Sequence, residues 1–339
     1  MQLEDWACAY GGAQSQGLIR QVPDDFIVNE IPSFEVSGVG EHAFVLIEKC
    51  SENTDYVARL LARFAGVRQR DVSYAGLKDR HARTTQWFSI WLPGKPDPDW
   101  SELNCATIKV LQATRHSKKL KRGSLAGNQF NIRIRDWVGD KALLEEQLLK
   151  IKSGGVPNYF GEQRFGHHGA NINKALALFA GKKVSRNQRS LYLSAARSYL
   201  FNTILSARVM DKTWNHALLG DILMFDDSRS FFRVEEGLDA VTLARVEALT
   251  LHPTAALWGK GEMQSAAGVA LLEQQQIEKF PDLATGLKTF GVAQDRRVLR
   301  SHIKALQWQF IGAGNLEIEF SLNAGCYATS LLKEIIALS

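Results

Sequence analysis

The stretch VSYAGLKDRHARTTQ, Val72 to Gln86, decides how the chain is read. Val72, Tyr74 and Ala75 carry the pattern of a buried strand end, Gly76 permits a sharp turn, and Asp79 then stands among Lys78, Arg80, His81 and Arg83. An aspartate flanked by cations is ordinarily a solvated turn residue, because exposed ion pairs contribute little. A strand-end loop, however, is where a rigid scaffold presents catalytic groups, and neighbouring cations would keep such a carboxylate ionised at neutral pH. The surrounding sequence has to decide between the two.

Upstream, Asn53 is an N-cap for a helix over about Thr54–Ala65, with Tyr56, Val57, Leu60, Leu61 and Phe64 as its apolar face and Gly66 beyond its end. Further back, EHAFVLIEK alternates apolar residues at Ala43, Val45 and Ile47, and FIVNE follows a Pro23-Asp24-Asp25 turn with Phe26 at its first strand position. Left to itself, Phe26 is a core residue. Gly38, Gly40 and Ala43 spell G-x-G-x-x-A, but a β-patterned run follows where a dinucleotide fingerprint needs a helix, so that reading is discarded. No G-x-x-x-x-G-K-[ST] phosphate loop occurs either.

Downstream, WFSIWL (Trp87–Leu92) reads as a strand stopped by Pro93, and PGKPDPDW as a turn-rich connector. Strands are expected at about Thr107–Ala113 and Asn128–Arg135. Between them lie RHSKKLKRG and a flexible GSLAGN segment, so Asn128 opens a strand beside a cationic loop. Arg115, Lys118, Lys119, Lys121 and Arg122 could neutralise several phosphates together; the plain alternative is a solvated charge run.

With 339 residues, two domains are the default, and 45% hydrophobic with 23% charged residues describes an ordinary globular chain of net charge +5. Cys8, Cys50, Cys105 and Cys326 form no CxxC pair, which argues against a zinc ribbon or dithiol motif and fits reduced thiols in the cytosol. The N-terminal MQLEDWACAYGG has no basic and apolar signal regions, and no window is apolar for long enough to span a bilayer, so the protein is read as cytoplasmic and unprocessed.

LLEEQLLKIK within Lys141–Lys152 reads as a helix, followed by the Gly- and aromatic-rich SGGVPNYFGEQRFGHHGANI as a boundary with an ordered loop. His167 and His168 have no further ligand at metal spacing, so no metal site is expected; Arg164 is a candidate phosphate contact or a loop brace. Helices follow at Asn171–Ala180, Ser190–Met210, about Thr242–Leu249 and Val269–Phe280, with short strands in ILMFDD and SFFRVEE. Leu316, Ile318, Phe320 and Leu322 alternate as a strand, ahead of a short helix from about Thr329 to Ala337. That tail is too small to bury a core alone and must dock elsewhere.

The segments PDDFIVNE, SYAGLKDRHARTTQ, KRGSLAGNQF, GGVPNYFGEQRFG, SLYLSAARSYLFN and AGCYATSLLKE, in this order, resemble the TruD-type tRNA pseudouridine synthases across most of the chain. The resemblance implies an α+β fold: a mixed, largely antiparallel sheet with flanking helices forms a catalytic domain from 1–153 and 302–339. An α/β-mixed insert at 154–301 is expected to help close a cleft over tRNA. It implies conversion of uridine to pseudouridine in tRNA, at position 13, with no cofactor and no obligatory protein partner.

The resemblance also implies that Asp79 of GLKD is the catalytic carboxylate. It would act either by adding to the sugar anomeric carbon or by taking the ribose 2′ proton. Phe26, Asn128 and Tyr327 match pocket-lining positions. Aromatic faces can stack on a flipped-out base and an Asn can hydrogen-bond uracil or ribose. Tyr327 stands where Phe is more usual, and is expected to reach Asp79 across the sheet. Arg20, where Lys is commoner, and Lys333 are the two candidates to pair with Asp79. Two other classes stay open on the residues alone. One is a non-catalytic RNA-binding protein, indifferent to Asp79; the other is a glycoside hydrolase with Glu162 or Glu30 as second carboxylate.

Overall fold

The computed structural model describes residues 5–226, 228–312 and 314–338, so Met1–Glu4 of the N-terminal stretch lie outside the described residues. The chain divides into two compact units. Among the described residues, the sheet unit comprises those of 15–139, 304–325 and 338, and the helical unit those of 5–14, 140–303 and 326–337. The helix Lys141–Gly154 and the C-terminal helix Ala328–Ile335 thus group with the helical unit.

In the sheet unit the strands are β1 (Ser15–Leu18), β2 (Phe26–Pro32), β3 (His42–Cys50), β4 (Val72–Tyr74), β5 (Arg83–Trp91), β6 (Ile108–His116), β7 (Leu125–Gly139), β8 (Lys304–Ile311) and β9 (Asn315–Asn323). They run in the order β8-β9-β7-β2-β5-β3-β6, with β1 added on β7 and β4 on β5. The β2–β5 pair is parallel and its neighbours are antiparallel, giving the mixed, largely antiparallel sheet expected of an α+β protein.

Alternation fixes the faces. Ala43, Val45 and Ile47 of β3 point with Phe88 and Ile90 of β5 into one core, closed by Val57, Ala58, Leu61 and Ala62 of helix α1 (Thr54–Phe64). Complete burial of Val57 and Leu61 each contributes about 1.5–3 kcal/mol. The helix is rotated from its expected face: Tyr56 is exposed while Ala58 and Ala62 are buried, because small residues let α1 sit close to the sheet. On the other face Phe44 and Trp87 pack with Phe34 and Leu120.

Three local readings change. The segment GSLAGN is already strand from Leu125, and Gly127 is buried in it. Gly76 has no left-handed backbone and open space where a Cβ would stand, so the turn there does not depend on glycine. Gly40 does need to be glycine: its φ is +131° and a Cβ would lie 2.3 Å from the His116 carbonyl oxygen.

The helical unit is built round α2 (Arg186–Met210), which is buried without a break from Ser198 to Val209 and packs against Tyr159, Phe165, Ile277 and Leu287. Ser185 caps it, accepting from Gln188 N while Gln188 Oε1 accepts from Ser185 N. A four-stranded antiparallel sheet lies in the same unit, in the order Phe231–Arg233, Ile222–Phe225, Leu251–Leu257, Asp295–Val298. The last two strands and the helix Pro281–Thr289 were not expected from the sequence. Buried Glu334 accepts from the amides of Ala9 at 2.9 Å and Tyr10 at 3.0 Å, joining the N-terminal residues to the C-terminal helix within this unit.

Candidate active site

The loop from Ala75 to Ala82, between β4 and β5, carries Asp79, and the scaffold holds it from several sides. Gln86 Nε2 donates to the Gly76 carbonyl at 3.1 Å, and the Lys78 amide donates to Thr54 Oγ1 at 3.0 Å. Thr54 in turn donates to Gln86 Oε1 at 2.9 Å, so the first residue of α1 and an inward-facing residue of β5 form one clamp. Lys49, wholly buried at the end of β3, donates to the carbonyls of Glu52 at 2.7 Å and Asp79 at 2.9 Å. Burial pulls its ammonium down to about 8, against the raising pull of Asp79.

The Asp79 side chain itself is 39% exposed, and Oδ2 accepts from Arg20 Nη2 at 3.3 Å. Among the described residues Oδ1 has no hydrogen-bond donor. Arg20 adopts a left-handed backbone, φ +59°, uncommon for a side-chain-bearing residue. From there its guanidinium lies 4.1 Å from the centroid of the Phe26 ring while reaching Asp79. The Pro23–Asp25 turn that sets this up is tied down by Asp25, which accepts from Val22 N at 3.0 Å and pairs with Arg135 at 2.8 Å.

Among the described residues none of the cations next to Asp79 in sequence makes an ion pair with it. Lys78 Nζ lies 3.1 Å from Glu30 Oε2, both nearly solvent-free, off the axis of an ideal hydrogen bond, so the attraction is chiefly Coulombic. Arg83 pairs with Asp24 and Glu48, while Arg80 and His81 are exposed. The basic nest read from the sequence is therefore divided among several carboxylates, and Arg20, distant in sequence, is the cation on Asp79.

Phe26 is 2% exposed, covered by Arg20 and edge-on to Phe130 at 6.3 Å. Asn128 lies opposite Glu30 on β2 and Leu322 on β9; its Oδ1 is buried with no hydrogen-bond partner among the described residues. Asp79, Phe26 and Asn128 thus share the sheet unit, joined through Arg20 on one side and the Glu30–Lys78 pair on the other. Tyr327 belongs to the helical unit: its hydroxyl accepts from Arg164 Nη2 at 2.6 Å, and its ring lies 6.1 Å from that of Phe160. Arg164 also donates to Ser194 Oγ, which fits its reading as a brace. Lys333 pairs with Asp5 at 2.9 Å.

In the basic run, Lys118, Lys119, Lys121 and Arg122 are exposed, whereas Arg115 is taken up by Asp97 at 2.8 Å and by two carbonyls. Sequence reasoning passed over Lys49, Thr54 and Gln86. A signal was present: Lys49 continues the alternation Ala43, Val45, Ile47 onto an inward position, where a charged residue is out of place.

The model of the family described as tRNA pseudouridine synthase D (TruD) matches residues 8–176 and 171–335. The chain belongs to this family. A tRNA pseudouridine synthase D of Methylococcus capsulatus is 48% identical over 335 residues, covering 98% of this chain and 94% of the relative. One from Pseudomonas aeruginosa is 46% identical over 332 residues, covering 97% and 93%. The crystal structure assigned to a TruD of Methanosarcina mazei has the same fold, with a TM-score of 0.71 at 23% identity over 99% of this chain and 95% of that one. Among the described residues no helix is long and apolar enough to cross a membrane.

Proposed function

We propose that this enzyme isomerises uridine to pseudouridine in tRNA, at position 13, with Asp79 as the catalytic carboxylate. In this reaction the N1–C1′ bond breaks, the uracil turns, and a C5–C1′ bond forms; the proton leaving C5 is balanced by one gained at N1, so no oxidant or reductant is required. The observation that carries the reading is the coupling of Arg20 to both Phe26 and Asp79 at 4.1 and 3.3 Å. One cation holds a carboxylate oxygen while the other oxygen, Oδ1, is left for the substrate. That oxygen can add to the anomeric carbon or accept the 2′ proton, and both routes need a carboxylate that is ionised and partly open to solvent.

The pocket residues follow as proposals. The unpartnered Asn128 Oδ1 is a costly feature in a folded protein, about 1–3 kcal/mol, and a donor such as uracil N3–H or a ribose hydroxyl would satisfy it. Phe26 becomes a stacking face when Arg20 swings from its ring. Tyr327, matched by CYATS, offers a ring whose hydroxyl Arg164 holds still. We assign the catalytic centre to the sheet unit, read residues 154–301 as an insert, and give Lys118, Lys119, Lys121 and Arg122 to tRNA phosphates.

The test is to incubate the purified protein with unmodified tRNA and map pseudouridine by mass spectrometry. Modification at position 13 is expected; modification elsewhere would refute the site assignment, and none at all would favour a protein that only binds RNA.

A further inference from the structure

We propose that Lys49 is a positioning residue for the reaction, whose amine sets the place of Asp79 by holding its main-chain carbonyl. The inference rests on the reading of Asp79 as the catalytic carboxylate.

Lys49 has no exposed surface, and no ion pair among the described residues includes it. Taking an ammonium out of water without a carboxylate at ion-pair distance is costly, and an apolar side chain of similar length would ordinarily serve such a site better. What Lys49 has instead is two short hydrogen bonds, at 2.7 Å to the Glu52 carbonyl and 2.9 Å to the Asp79 carbonyl. The first acceptor lies just before α1 and the second is in the catalytic loop, so the amine fastens the loop to the α1 end of the core. The charged and titratable groups around it are Asp79, Lys78, Glu52 and Cys50.

The geometry makes a division of labour. Arg20 holds the Asp79 carboxylate from one side, and Lys49 holds the same residue's backbone from beneath. Gln86 and Thr54 fix Gly76 and Lys78, but among the described residues Asp79 and its successors, Arg80 and His81, have no comparable side-chain anchor other than these two. Without Lys49 the Asp79 carbonyl would lose this donor, and the carboxylate would leave its register with Arg20. A misplacement of about 1 Å at a reacting group can cost on the order of 100-fold in rate.

The test uses the full chain with Lys49→Met. Single-turnover pseudouridine formation, tRNA affinity at fixed salt and amide exchange are measured together. The expected result is a 30-fold or greater fall in rate, affinity within threefold, and exchange at least tenfold faster in residues 76–82, while amides of Phe44–Ile47 and Trp87–Ile90 keep their protection. A rate within threefold of the parent, or unchanged exchange in the loop, overturns the proposal. If the sheet amides also loosen, Lys49→Gln decides. Its amide still donates, so it must recover at least tenfold of the lost rate, and failure to do so overturns the proposal as well. Should Asp79→Asn turn over normally, the catalytic reading falls, while the exchange result still reports on the tether.

Discussion

The Glu30–Lys78 pair is the part of the site whose energy can be worked out from its geometry. At 3.1 Å, in a surrounding of effective dielectric about 20, the attraction is roughly 5 kcal/mol. Desolvation of two nearly water-free groups cancels much of that, so the pair contributes little net stability against an apolar replacement. Removing one partner is different, because it strands the other charge. Glu30→Gln keeps the acceptor for the Trp87 amide at 3.3 Å but leaves the Lys78 ammonium buried and uncompensated. The expected loss is about 3–5 kcal/mol. That corresponds to a fall in Tm of roughly 6–20 °C for a domain of this size. Because the chain divides into two compact units, the assay is urea-dependent hydrogen exchange at amides of β2 and β5, which lie in the sheet unit. Adding Lys78→Met to Glu30→Gln should return at least half of the loss. A single-variant loss below about 1 kcal/mol, or no recovery in the double variant, would refute the account of the pair as a buried ionic strut beside Asp79.

Three other expectations follow from the same geometry. Arg20→Ala removes both the cation on Asp79 and the cover on Phe26, so turnover should fall at least 20-fold, whereas Arg20→Lys keeps the charge and should hold a fifth or more of the rate; equal loss in both would contradict a charge-based role. Replacing Lys118, Lys119, Lys121 and Arg122 by Gln should lower the slope of log K for tRNA against log salt by about 3, and an unchanged slope would return the run to solvated surface. Buried His252 donates through Nε2 to Asp226 at 3.0 Å and accepts at Nδ1 from Arg300 at 3.1 Å; burial, first, and the Arg300 charge lower its pKa from the ordinary 6.5. The unfolded chain then binds the extra proton, so this contribution to stability is present above pH 6.5 and lost as pH falls. Tm of the helical unit should therefore drop from pH 7 to pH 5 less steeply in His252→Gln than in the parent.

Strand alternation in EHAFVLIEK, the Asn53 cap position and the apolar faces of the long helices made the secondary structure readable, because those patterns depend on neighbours in sequence. The helix Pro281–Thr289 and the strand Leu251–Leu257 escaped: the strand is buried on both faces and shows no alternation, and it contains Pro253. The candidate site divides the same way. Asp79 was legible from its loop, but its partner was not, since Arg20 reaches it from 59 residues away only after the Asp25-held turn folds back. The cations beside Asp79 in sequence misled for the complementary reason. Lys78 and Arg83 are taken up by Glu30, Asp24 and Glu48 instead. Lys49 could be found only by asking why an inward strand position is charged.

The central claim is that the Asp79 carboxylate performs the bond chemistry. Its most direct test is single-turnover pseudouridine formation on one unmodified tRNA by the parent and by Asp79→Asn, with binding of that tRNA measured alongside. The account predicts no detectable product from the variant and an affinity within a few-fold of the parent. Substantial product from Asp79→Asn would show that another group carries the reaction.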